Sequence, residues 1–118
     1  MVLFLFAALF AAVKIGSAVD PIQVIVVSNQ SFDPSMNNNH MQVFKMLLHN
    51  YIKSKNFSYK QEDVSQKIIN EGGQFSILYK LKNFDCDGLI DFAREGKRLA
   101  NFVKTIKVKC SGRNEVTI

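Results

Sequence analysis

The chain reads as a small α+β domain, with an amphipathic helix and a short second helix packed on a curved antiparallel sheet. Three observations carry this. Apolar residues recur at three- and four-residue steps over residues 40–55, and they alternate with a period of two over residues 75–82. Clusters of Asn, Asp, Ser and Gly punctuate the chain between such segments. At 118 residues, 47% hydrophobic and 21% charged, the chain has material for one ordinary domain. That hydrophobic share excludes a wholly disordered chain, six Gly and two Pro exclude a collagen-like or linker sequence, and two Cys are too few for a disulfide-dense mini-protein.

The first 18 residues stand apart from the domain. Residues 2–13 are an unbroken apolar run, shorter than the roughly 20 residues that cross a bilayer. The small residues Gly16, Ser17 and Ala18 follow, as in a secretory signal cleaved after Ala18. No Lys or Arg precedes the run and Lys14 follows it, a departure that keeps a retained anchor as the alternative. Cleavage leaves residues 19–118 as a single extracellular domain with no membrane span: residues 19–39 form an N-terminal strand and loop, and residues 40–118 the core.

Taken in order, residues 22–27 are a β-branched run that predicts a strand, and residues 28–39 are polar and predict a surface loop. Over residues 40–55, Met41, Phe44, Leu48, Tyr51 and Ile52 share one helical face, with Asn39 expected as N-cap. Ser58 and Gln61 match a capping box, so a short helix is expected from residue 58, with Val64 and Ile68 on one face and Gly72-Gly73 as its stop. Residues 75–82 then read as a strand. Asp87-Gly88 and Glu95-Gly96-Lys97 read as turns around a strand at residues 89–94, followed by a long strand at residues 98–110. Leu89, Phe92, Ala93, Leu99, Ala100 and Val103 also fit a helical stripe, which would place Gly96 inside a helix at a cost of about 1 kcal/mol. A turn at residues 111–114 and a short strand at residues 116–118 close the sheet.

Export places the chain in an oxidising compartment, so Cys86 and Cys110 are expected to pair. Neither lies in a CxxC or CxH spacing, so no metal-ligand pair is preassembled. Asn29 and Asn56 begin N-glycosylation sequons, and Asn29, at the end of a strand, is the more accessible by position. The net charge of +5 falls to +4 on loss of Lys14; its lysines read as solvated faces, with an acidic polysaccharide or anionic lipid as the sharper alternative. Nucleic acid does not suit an exported protein.

Catalytic equipment is thin. His40 and His49 lie nine apart, off any metal-ligand spacing on a helix, and Asp85, Asp87 and Asp91 read as turn-forming residues. No nucleophile elbow, zinc-binding His-Glu pair or phosphate loop occurs. A non-catalytic binding or interaction module follows as the expectation, without metal or cofactor, its partner a small apolar ligand or an extracellular protein.

Two family resemblances sharpen this. Tyr59-Lys60-Gln61-Glu62-Asp63-Val64, the segment from Gly73 to Leu81 and Gly88-Leu89-Ile90-Asp91-Phe92 resemble the small secreted nuclear-transport-factor-2-like domains of nematodes, over residues 40–110. The resemblance implies an apolar cone between sheet and helices, and Phe44, Tyr51, Tyr59, Phe75 and Tyr79 would line it by residue type. The chain departs from that pattern between its first two helices, where Lys55 runs almost directly into Ser58. Gln66-Lys67-Ile68-Ile69-Asn70 is similar instead to the inhibitory loop of cystatins, in which Gln66, Ile68 and Asn70 would meet a papain-type protease. There Asn70 replaces the loop's final Gly, and no Trp is present for the second hairpin.

Overall fold

The computed structural model describes residues 21–118, so the expected signal segment at residues 1–18 lies outside the described residues. Strand Ile22–Ser31 (β1) leads to helix Asn37–Ser54 (α1). A single 3-10 turn at Gln61–Asp63 precedes strands Val64–Glu71 (β2) and Gln74–Leu81 (β3). Helix Cys86–Leu99 (α2) then leads to Val103–Lys109 (β4) and the short Val116–Thr117 (β5). The five strands lie in the order β2-β3-β1-β4-β5, and all neighbouring pairs are antiparallel. Strands β1 and β2 are thus parallel with β3 between them, and β3 and β4 are parallel with β1 between them. Two split β-α-β units interlock, which is the βαββαβ arrangement of ferredoxin-like folds with one added edge strand.

The alternation of β1 explains its central place. Ile22, Val24 and Val26 are buried on one face, opposite Leu81, Tyr79 and Ile77 of β3, while Val24 and Val26 also face Val108 and Ile106 of β4. Both helices cover this face: Met41, Phe44 and Leu48 from α1 and Leu89, Ile90 and Ala93 from α2 join one core cluster. Ile77 and Val108 at its centre are almost wholly sequestered, each burial contributing about 1.5–3 kcal/mol. Between Val27 and Ser28 the register slips by one residue on β4, and the Ser28 hydroxyl donates to the Phe75 carbonyl at 2.6 Å where the ladder is disturbed. On the other face, Lys107 of β4 meets Glu71 of β2 at 2.9 Å. Two strands lie between them, about 14 Å of flat sheet, so the sheet is strongly coiled.

Several expectations need correction. Strand β1 continues through residues 28–31, expected as loop, and α1 begins at Asn37 rather than His40. Met36, not Asn39, holds its cap position and makes no side-chain bond there. The Asn37 side chain instead accepts from the Asp33 amide at 3.0 Å, while the Asp33 carboxylate accepts from the amide and hydroxyl of Ser35, which hold its pKa below the ordinary value.

The expected helix from residue 58 is replaced by the 3-10 turn and β2. Gly72 and Gly73, with φ of 61° and 87°, are the two left-handed residues of a tight hairpin turn, and Glu71 pairs with Gln74 across it. Pairing along all of β2 therefore overrides the capping-box pattern. Residues 89–94, favoured as a strand, lie in α2, as does the Glu95-Gly96-Lys97 segment expected as a turn, and the long strand shortens to β4. Asp85 caps α2, its carboxylate accepting from the Gly88 amide at 2.8 Å. Cys86 and Cys110 are bonded, tying the first turn of α2 to the residue after β4.

An apolar cleft between helices and sheet

The helices do not close fully onto the sheet. Between them runs a cleft of about 610 Å³, within the range that holds a small ligand. Its floor is Val24 and Val26 of β1, Tyr79 and Leu81 of β3 and Ile106 of β4, and its walls include Phe44 and Leu48 of α1 and Leu89 and Ala93 of α2. Lys97 is the one charged side chain among the described lining residues.

A brace joins the two helices. Tyr51 packs against the Phe92 ring at 4.6 Å, and its hydroxyl donates to the Phe92 carbonyl at 2.6 Å. Burial, and next to it the charge of Glu95, push the Tyr51 pKa up. Gly96 makes the approach feasible, since a Cβ there would stand 3.0 Å from Tyr51 Cε2. Lys55 and Glu95 extend the brace with an ion pair at 2.7 Å. Beside it Phe57 packs between Phe92 at 4.7 Å and Phe84 at 5.9 Å, and Tyr59 joins this aromatic group within 6.4 Å. Leu47 and Leu99 also line the cleft and are exposed, Leu99 at 69%.

Phe44, Tyr51, Tyr59 and Tyr79 are among the residues around this cleft, whereas Phe75 is buried outside it against the His40 ring at 5.4 Å. Sequence reasoning missed Phe57, Phe84 and Phe102, because connector residues carry no periodicity; their shared signal was an aromatic flanking a helix. Tyr79 is only 7% exposed, and its hydroxyl has no hydrogen-bond partner. Burial, with a smaller contribution from Tyr59, raises its pKa far above the ordinary tyrosine value.

The remaining candidates lie elsewhere. Gln66, Ile68 and Asn70 sit along the body of β2, opposite Tyr79, Ile77 and Phe75, rather than at the hairpin turn; Gln66 also reaches the cleft. The Asn70 side chain accepts from the Gly73 amide at 2.7 Å and so braces the turn. Asn29 is exposed near the end of β1, and Asn56 is exposed just past α1 in a left-handed conformation that ends the helix. Asp85 caps α2, whereas Asp87 and Asp91, expected in turns, lie within α2, where Asp87 pairs with Arg113 at 2.7 Å and Asp91 approaches Arg94 at 3.7 Å. Among the described residues no group of three His, Cys, Asp or Glu is placed to hold a metal, and no helix is long and apolar enough to cross a membrane.

No curated protein and no solved structure matches the chain. The family model described as secreted clade V proteins matches residues 22–117, nearly the whole described domain from β1 to β5, and the chain therefore belongs to that family of secreted proteins.

Proposed function

We propose that this secreted protein is a non-catalytic binding module that holds a small apolar ligand in the cleft between its helices and its sheet. The observation that carries the reading is the cleft itself: about 610 Å³, walled mostly by apolar side chains, with the exposed Leu47 and Leu99 among them. Transfer of an apolar molecule from water to such walls is favourable by about 25 cal/mol per Å² of surface buried. The fold alone assigns no activity, so the argument rests on the site.

Nile red titration of the secreted chain tests it. Ala93 lines the cleft on α2, and Ala93→Phe should fill the space and weaken dye binding at least tenfold while the melting temperature stays within a few degrees. Equal binding by both chains, or none by either, would remove the reading.

One observation favours the cystatin-like alternative: residues 64–81 form a hairpin rather than a helix. Against it stands the placement of Gln66, Ile68 and Asn70 along a strand paired with β3. Titration against papain decides between them. Stoichiometric inhibition at micromolar concentration, lost in a folded Ile68→Ser variant, would replace ligand binding with protease inhibition.

A further inference from the structure

The polar groups of the cleft are unequally provided for. The Tyr51 hydroxyl is spent on the Phe92 carbonyl, Ser54 donates to the Tyr51 carbonyl, and Asn50, Gln66 and Asn101 are exposed to water. Tyr79 differs from all of them, since its side chain is buried in the floor and its hydroxyl is unpartnered. A buried hydroxyl without a partner is costly, and native interiors rarely leave one so.

Resting on the reading of the cleft as a ligand site, we propose that the Tyr79 hydroxyl is its polar anchor, and that the occupant is a neutral, largely apolar molecule bearing one hydrogen-bond acceptor such as a ketone, ester or ether oxygen. The neutral class follows from the surroundings. Among the described lining residues Lys97 alone is charged, and the influences on the Tyr79 hydroxyl are its burial and the neighbouring Tyr59, with no lysine or arginine among them. A carboxylate placed at Tyr79 would be desolvated without a cation beside it, which is strongly unfavourable. The protonated Tyr79 hydroxyl can donate to such an oxygen. The hydroxyl is sealed from solvent in the free protein, so the ligand's oxygen reaches it as the covering side chains shift; it then satisfies the group that the protein leaves unpaired, and the apolar remainder fills the space beneath the helices.

Acetylnaphthalene and isopropenylnaphthalene share a shape, but the second carries a methylene group where the first has its carbonyl oxygen. Calorimetric titration of both into the secreted wild-type chain and Tyr79→Phe tests the anchor. The ketone should bind wild type roughly 3- to 10-fold tighter than the variant, and the alkene should bind both alike. A ketone that binds both chains equally would overturn the anchor and leave the cleft as a ligand site; failure of both compounds on both chains would remove the cleft reading as well. Thermal melts without ligand supply an independent arm. Tyr79→Phe deletes an unpaired buried group and should melt at or above wild type. A fall of several degrees would show that the hydroxyl already has a partner in the free protein, and would overturn the proposal.

Discussion

Helix α2 is secured at its first turn by three different interactions: Asp85 caps it, Cys86 bonds to Cys110, and Asp87 pairs with Arg113. Helix α1 follows Met36 without a side-chain cap, and its hold on the rest of the molecule is packing, the Tyr51 hydrogen bond and the Lys55–Glu95 pair. The two walls of the cleft are therefore fastened by different means. To part from β4, the start of α2 must break a covalent bond. To lift α1, only reversible contacts need to yield. The division gives one wall held covalently and one held by reversible contacts.

The largest effect should come from removing the fixed wall's bond. Replacing both Cys86 and Cys110 by Ser releases a loop with a sequence separation of 24, which the chain-entropy account values at about 3–4 kcal/mol. Chemical denaturation measures the loss. Hydrogen exchange gives the sharper comparison: α1 amides should exchange faster than α2 amides in the oxidised chain, and the difference should narrow in the double variant. Equal protection of both helices in the oxidised chain would break the contrast.

Next in size is the brace. Gly96→Ala gains about 1 kcal/mol of helix propensity but drives a methyl into a ring held by Phe92, an overpacking that costs roughly 1–3 kcal/mol. A net loss of about 1 kcal/mol is expected, and adding Tyr51→Leu should cancel the dependence in a double-mutant cycle. Asp85→Ala should then cost about 1 kcal/mol by uncapping α2, with no change in the exchange of α1.

The smallest effect is a pH dependence. Both Tyr51 and Tyr79 have folded pKa values raised above the unfolded one, so their contribution is complete below about pH 10. As pH rises further, the unfolded chain gives up protons that the folded chain retains, and stability falls. Tyr79→Phe should flatten that alkaline slope in melts recorded from pH 8 to 11, and Tyr51→Phe should flatten it less.

Much of this frame was legible in the residues. Strand β1 carries a β-branched run, helix α1 and strand β3 carry periodic patterns that tertiary packing reinforces, and the sole cysteine pair is bonded as oxidising export implies. Two segments misled. At residues 58–61 a local capping pattern competed with β2, whose pairing with β3 is settled by the Gly72-Gly73 turn rather than by any periodicity of its own. At Gly96 the apparent turn signal is a packing requirement set by Tyr51, far away in the chain, which no local window contains. The cleft shares that difficulty. Its floor residues are ordinary strand residues, and what makes it a cleft is the spacing of two helices joined by the Tyr51 brace.

The position of β1 bears on how the chain comes to be folded at all. The first strand of the domain to be synthesised occupies the middle of the sheet, where Val24 pairs with both Tyr79 and Val108. Its two neighbours are translated much later, and β4 arrives almost at the end. A nascent chain entering the secretory compartment therefore presents an apolar strand with both ladders open until nearly the whole domain has emerged, an exposure that invites holding factors. The β2–β3 hairpin pairs strands adjacent in sequence, whereas the pairing of β1 with β3 and β4 joins distant segments and carries the high contact order of the domain.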